Sequence, residues 1–179
     1  TLLADQPVIY TALGHDSSWD QRIIGWMNQV RDQIRTGVTA PEKITDCRVI
    51  LDEMRLIKSS EELQVMQQAA KISVQAHQRA MQITKPDKYE YEIEAELLYT
   101  FNRLGARFPA YTSIVAGGAN ACVLHYVENT AELKSGDLLL IDAGCELHGY
   151  ASDITRTFPI NGKFSAAQKD VYQLVLNAQ

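Results

Sequence analysis

Asp142 and Asp153 are the residues of this sequence whose type and spacing most directly suggest chemistry. Asp142 directly follows the apolar run 138–141, which has the length and composition of a buried strand. Asp153 lies in a second run, 150–160, that also favours an extended conformation. Two carboxylates on neighbouring strands can share a proton or hold a cation, so the geometry of the two strands decides what they can do.

The stretch 138–160 predicts an antiparallel hairpin that turns at 146–149. Gly149 is free to take the positive φ that tight hairpin turns require. The two aspartates are then directly opposite one another, with the turn centred between Leu147 and His148. Residues opposed in this way have Cβ atoms about 4.5–5.5 Å apart, and two like charges at that distance destabilise the pair.

The repulsion between the two carboxylates can be relieved in different ways. Either one carboxylate keeps its proton, as in acid proteases, or a cation lies between the two. Alternatively, a bulge slips the register, so that the side chains diverge into solvent and form no site. The spacing leaves all three arrangements open.

Residues 1–51 predict the closing β-α-β part of a small α/β domain. A Pro-led strand is expected near 7–12, followed by an amphipathic helix with Ser17 or Ser18 as its N-cap. A loop then leads to the second strand, which is expected at 47–51.

The rest of the chain predicts helices mixed with strands, so the fold class of the whole is α/β (α+β). A long helix begins after Ser59 or Ser60 and ends before Pro86. A second helix spans 89–104. Its acid-rich start, which includes Glu90, favours a solvated face, because carboxylates two residues apart on a helix do not face each other.

The composition is that of a globular protein, with 46% hydrophobic and 22% charged residues in 179. A net charge of −5 without a basic cluster argues against nucleic acid or an anionic membrane as partner. No apolar run approaches the roughly 18 residues of a membrane span and no signal peptide opens the chain, so we expect a soluble, cytoplasmic protein. Three widely spaced cysteines indicate neither a disulfide framework nor a Cys-x-x-Cys zinc site.

Five ordered motifs lie between residues 54 and 159. They are MRLIKSSEEL (54–63), ARFPAYTSIVAGGAN (106–120), LHY (124–126), GDLLLIDAG (136–144) and GYASDITRTFP (149–159). Together they resemble the metallopeptidases of the pita-bread fold, and most closely the aminopeptidase P group of bacteria. An isolated DITRTF run would be a much weaker signal than this ordered set.

The resemblance implies both a domain organisation and an activity. Residues 1–51 would be the end of a creatinase-like N-terminal domain, and residues 52–179 would be the first half of a pita-bread catalytic domain. The activity implied is that of a metal-dependent Xaa-Pro aminopeptidase, which hydrolyses the N-terminal residue from peptides with proline in second position. The parent protein would be a homo-oligomer.

The same resemblance implies roles for four residues. Asp142 would bind one of two divalent metal ions, commonly Mn²⁺, and Asp153 would bridge both. A water or hydroxide shared by the ions would attack the scissile carbonyl. His125 would line the site without binding metal, where it would position substrate or stabilise the tetrahedral intermediate, and Tyr111 would contact Asp153 or a nearby ion. The alternatives are a core histidine on a buried strand at 122–126 and a core tyrosine at position 111.

The family pattern needs a later histidine and two glutamates, so this sequence would supply two of five protein ligands. We therefore expect a fragment of a longer enzyme, inactive by itself because its metal site is half built. Two alternatives stay open. One is prolidase or another pita-bread peptidase, which shares both aspartates, and the other is a catalytically dead pita-bread module that binds proteins.

Overall fold

The computed structural model describes residues 2–179 and divides the chain into two compact units. The first unit extends to Lys58 and the second is Ser59–Gln179. Residue 1, which the predicted first domain includes, lies outside the described residues. The predicted domain boundary between residues 51 and 52 falls inside helix α2 (Arg48–Leu56). None of the helices described is long and apolar enough to cross a membrane.

The first unit has the predicted β-α-β order. Its elements are β1 (Val8–Tyr10), α1 (Ser17–Arg31), a 3₁₀ turn (Ile34–Thr36), β2 (Lys43–Thr45) and α2. The strands β1 and β2 pair in parallel, and a small core forms between Ile9, Ile23 and Met27.

Two local predictions in this unit are wrong. The segment 47–51 is the start of a helix, because the Asp46 carboxylate accepts the backbone N–H of Arg48 at 2.9 Å and Cys47 already has helical φ and ψ. A short apolar run does not by itself distinguish a strand from a helix. The N-cap of α1 is Asp16, whose carboxylate accepts the N–H groups of Ser18 and Trp19.

The second unit begins with two long helices. Helix α3 (Ser60–Ile83) starts after a capping box between Ser59 and Glu62 and ends before Pro86, as predicted. Helix α4 (Glu90–Arg103) and helix α5 (Ala166–Ala178) are the others.

Two three-stranded antiparallel sheets follow α4. One has the order β4 (Ile114–Gly117), β5 (Leu138–Ala143) and β8 (Ile154–Pro159), and the other has the order β3 (Phe108–Pro109), β6 (Cys145–Leu147) and β7 (Tyr150–Ala151). These helices and sheets confirm the predicted α/β (α+β) class.

Strand β5 is buried on one face and carries the candidate chemistry on the other. Leu139, Ile141 and Ala143 are fully buried and belong to the same core as residues of α3 and α4. Burying a side chain such as Leu139 or Ile141 contributes about 1.5–3 kcal/mol. Because side chains alternate along a strand, Asp142 lies on the face away from these helices, where it is half-buried.

The hairpin exists, but its register differs from the prediction. Asp142 pairs with Thr155, so the predicted direct opposition of Asp142 and Asp153 is wrong. The turn is centred between His148 and Gly149, which have φ values of 49° and 85°, as a two-residue type I′ turn requires. Moving the turn by one residue moves every cross-strand partner by two, so each side chain keeps its predicted face.

Candidate metal centre

The side chains of Asp142 and Asp153 converge on one hydroxyl group. The Tyr111 hydroxyl donates to Asp142 Oδ1 at 2.5 Å and to Asp153 Oδ1 at 2.9 Å. The two carboxylate oxygens are therefore no further apart than the sum of these two hydrogen bonds. The arrangement in which a slipped register lets the aspartates diverge is excluded.

The hydroxyl of Tyr111 cannot by itself relieve the repulsion between the two carboxylates. A phenol has a single hydrogen, which here is shared between two acceptors. The pKa of the Tyr111 phenol is well above its usual value. Burial is the main cause and the hydrogen bonds to Asp142 and Asp153 are the second, so the hydroxyl stays protonated and remains a donor. The pair thus retains the need for a cation or a shared proton that its spacing first indicated.

The carboxylates of Asp142 and Asp153 are of the type that binds a hard divalent cation, although they are only two ligands. Carboxylate oxygens are the ligands that such ions prefer. Within residues 2–179 no group of three or more His, Cys, Asp or Glu side chains is placed to hold a metal ion. The described chain therefore supplies two carboxylates of a site and no complete ligand cage.

Gly144 is the point at which the hairpin passes from one sheet to the other. A Cβ atom built on Gly144 would lie 1.7 Å from the carbonyl oxygen of Ser152 and 2.5 Å from its carbonyl carbon. The two backbone segments can approach this closely only because the residue has no side chain. The missing side chain therefore lets Ser152, and with it Asp153, lie against the end of the strand that carries Asp142.

Helix α3 fixes the same bend through three residues spaced four apart, which lie on one face of the helix. The carbonyl of Ala69 accepts the Cys145 thiol at 3.4 Å, and Ser73 Oγ accepts the Cys145 backbone N–H at 3.0 Å. His77 Nε2 lies 3.0 Å from the carbonyl oxygen of Ala143. The hydroxyls of Ser73 and Ser152 contact each other at 2.7 Å, which ties the helix to both sides of the bend.

His77 is a buried structural residue of this bend. It is 3% exposed, and because a carbonyl can only accept, Nε2 carries the hydrogen. Burial lowers the pKa of His77, an effect that the hydrogen bond to Ala143 opposes. The imidazole is therefore a neutral donor that orients the carbonyl next to Asp142.

His125 lines a cavity with Asp142, but it does not lie on a strand. The 3₁₀ helix Gly118–Cys122 precedes it, and His125 itself has a φ of 55° and is exposed. The predicted extended segment at 122–126 is therefore wrong, and so is the alternative of a buried core histidine. His125 and Asp142 line the same cavity of about 300 Å³, together with Thr155.

Sequence reasoning missed the roles of Glu90, Gly144 and Ser73. The acid-rich start of α4 predicts a solvated Glu90, but its side chain is fully buried. It accepts the backbone N–H of Gly117 at 2.8 Å, a contact 27 residues along the chain. No local pattern predicts such a distant partner, whereas the glycine that follows IDA could have been recognised as a site of close backbone approach.

Comparison with known proteins places these features in a family. Residues 64–179 match the profile of metallopeptidase family M24. A Xaa-Pro aminopeptidase of Haemophilus influenzae is 61% identical over 137 residues, which are 76% of this chain and 32% of that protein.

Solved structures give the same result. Proline aminopeptidase P II from Yersinia pestis superposes with a TM-score of 0.92 at 51% identity, over 99% of this chain and 41% of that one. Zinc-substituted aminopeptidase P of Escherichia coli, in complex with product, superposes with a TM-score of 0.93 at 47% identity, over 98% of this chain and 40% of that one. The chain thus spans about a third to two fifths of the length of these proteins.

The matched segment 64–179 contains Asp142, Asp153, Tyr111 and His125, so the family match and the convergent site fall on the same unit. Its extent is well over half of the 179 residues. The chain belongs to metallopeptidase family M24.

Proposed function

We propose that the full-length protein is a metal-dependent Xaa-Pro aminopeptidase, which removes the N-terminal residue from peptides with proline in second position. The observation that carries the proposal is the convergence of Asp142 and Asp153 on the Tyr111 hydroxyl, beside the cavity that His125 lines. The names of the relatives add support, because they are Xaa-Pro aminopeptidases.

We propose that Asp142 and Asp153 would hold two divalent ions, with Mn²⁺ as the physiological metal. Such ions supply Lewis acidity toward the scissile carbonyl and activate water as the nucleophile. Asp142 is half-buried at the end of a rigid strand, whereas Asp153 is exposed. Tyr111 contacts both carboxylates and so links the exposed one to the half-buried one.

His125 and Tyr111 have different tasks in this proposal. Tyr111 donates to both carboxylates and so sets the distance between them. His125 faces the cavity of about 300 Å³, where its ring can contact a peptide carbonyl. A donor placed there would orient the substrate and stabilise the negative charge that develops on the carbonyl oxygen.

The domain assignment, the location and the assembly belong to the same proposal. Residues 1–51 would be the end of a creatinase-like N-terminal domain, and residues 52–179 the first half of the catalytic domain. The full-length protein would be a cytoplasmic homo-oligomer. Cell fractionation and analytical ultracentrifugation measure these two properties directly.

The test is a peptidase assay on the full-length protein. Tripeptides with proline in second position should be cleaved, whereas matched peptides with alanine there or with an acetylated N-terminus should not. A chelator should abolish cleavage and Mn²⁺ should restore it. Asp142→Asn should lower kcat/KM by more than about a hundredfold, while Asp170→Asn, an exposed aspartate on α5, should leave it unchanged.

The same assay separates the alternatives. Preference for Xaa-Pro dipeptides over tripeptides would assign the protein to prolidase instead. Metal binding below detection together with no cleavage of any peptide would indicate a module that binds proteins and has no catalytic activity.

A further inference from the structure

Glu90 is a fully buried carboxylate that belongs to none of the roles described so far. It is the first residue of α4, and its side chain has no exposed surface. A carboxylate is costly to bury unless each oxygen finds donors, so the groups that surround it reveal what it does.

Four donors reach Glu90, two on each oxygen. Oε1 accepts the backbone N–H of Gly117 at 2.8 Å and the side-chain amide of Asn120 at 3.0 Å. Oε2 accepts the hydroxyl of Tyr126 at 2.7 Å and the backbone N–H of Ala131 at 2.9 Å. Burial is the main cause that raises the pKa of Tyr126, and the hydrogen bond to Glu90 is the second. The hydroxyl therefore stays protonated and remains a donor.

These donors all belong to one segment, 117–131, which we call the histidine loop because it carries His125. Oε1 holds the first part of the loop, and Oε2 holds the residue directly after His125 and the end of the loop. His125 is exposed and has a φ of 55°, a conformation that a non-glycine residue keeps only when its surroundings impose it. Its neighbour Tyr126 is the anchor, being 8% exposed.

We propose that Glu90 is a positioning residue that holds His125 at the cavity it shares with Asp142. The inference rests on the proposed function, in which His125 contacts substrate. Glu90 does not touch the cavity, so it acts through the loop. A purely structural role would stabilise the fold without any specific effect on His125.

The test is a double-mutant cycle in the full-length protein. Glu90→Gln keeps the size of the side chain but turns an amide N–H₂ toward two groups that themselves donate. We expect kcat on a Xaa-Pro tripeptide to fall by about tenfold or more, which is the size of coupling found within one hydrogen-bond network. In a His125→Ala background the same change should lower kcat by no more than about twofold.

The control is Glu94→Gln, which makes the same chemical change on the same helix at a partly exposed position. It should change kcat in neither background. If Glu90→Gln fails to fold, Tyr126→Phe removes a single donor and leaves the others in place. Its smaller loss of kcat should also disappear in the His125→Ala background.

A second readout does not depend on activity. Imidazole cross-peaks of His125 in a ¹H–¹⁵N spectrum should shift or broaden in Glu90→Gln and remain in place in Glu94→Gln. If the wild-type protein cleaves no Xaa-Pro peptide, the proposed function fails, and these cross-peaks still decide whether Glu90 positions His125. Equal losses of kcat in both backgrounds, or unchanged cross-peaks, would overturn the inference.

Discussion

Replacing Gly144 by alanine perturbs the bend on which the whole site depends. The new methyl carbon would lie 1.7 Å from the Ser152 carbonyl oxygen, whereas ordinary van der Waals contact begins near 3.4 Å. The carbonyl oxygen and carbon of Ser152 are backbone atoms, so neither can rotate away from the methyl group. The two backbone segments must therefore move apart by roughly the difference between the 1.7 Å distance and ordinary contact. The hydrogen bond from Ser152 N to the Cys145 carbonyl, 2.9 Å long, cannot survive that separation.

The expected loss of stability has two contributions, the overpacking at Gly144 and the lost hydrogen bond. Overpacking costs about 1–3 kcal/mol and a lost hydrogen bond about 1 kcal/mol, so Gly144→Ala should lower the free energy of unfolding by about 2–4 kcal/mol. Asp142 and Asp153 lie on opposite sides of the opened contact and should no longer both reach Tyr111. The affinity for Mn²⁺ should then fall about tenfold or more.

Urea unfolding followed by circular dichroism measures the first effect, and hydrogen exchange of the Ser152 amide locates it. Gly25→Ala is the matched control, because the site is helical and, apart from the chain neighbours and the backbone of its own helix, no described heavy atom lies within 4 Å of the added methyl group. That change should be neutral or stabilising by up to about 1 kcal/mol. A Gly144→Ala protein within about 0.5 kcal/mol of wild type, with its Ser152 amide still protected, would refute the reasoning.

Three further predictions concern neighbouring residues. Burial lowers the pKa of the His77 imidazole, so the unfolded chain binds a proton on His77 at a higher pH than the folded chain does. The stability due to neutral His77 is therefore present above about pH 6.5 and is lost as the pH falls below that value. His77→Gln should therefore show a smaller drop in urea midpoint between about pH 7.5 and about pH 5 than wild type, and equal drops would contradict this. Ser73→Ala should destabilise the protein by about 1 kcal/mol in urea unfolding, since one contact to the Cys145 N–H remains through Ser152, and a neutral effect would speak against the network. In the absence of metal, Asp142→Asn should raise the melting temperature, because it relieves the repulsion between Asp142 and Asp153. The same change should abolish the rise in melting temperature that Mn²⁺ causes, and calorimetry that finds this rise intact would remove Asp142 from the proposed ligands.

Much of the fold could be predicted from patterns local in the sequence. The apolar run that ends at Asp142, the capping box at Ser59 and the glycine at the hairpin turn each have a short-range physical cause. Side-chain alternation along the strand also predicted correctly that the two aspartates share a face. The predicted face of each side chain is correct despite the error in register, because the cross-strand partners are displaced by two residues, which is an even number.

The rest depends on contacts between residues distant in the chain. The exact register depends on which pair of residues accepts positive φ, and the preferred first residue of such a turn is Asn, Asp or Gly, whereas the chain has His148 there. The burial of Glu90 depends on donors from a loop that begins 27 residues later. The sequence of the helix that starts at Arg48 favours a strand because its apolar run is short. Its first backbone N–H is bound by the side chain of Asp46, which precedes the N-cap residue Cys47.

The most direct measurement of the central claim is anomalous diffraction at the manganese edge from crystals of the full-length protein grown with Mn²⁺. Asp142 and Asp153 are proposed to hold metal together, so an anomalous peak should lie within about 2–2.6 Å of a carboxylate oxygen of each. Tyr111 should remain beside them. Saturating Mn²⁺ with no peak at these carboxylates, or with peaks only elsewhere in the protein, would contradict the account.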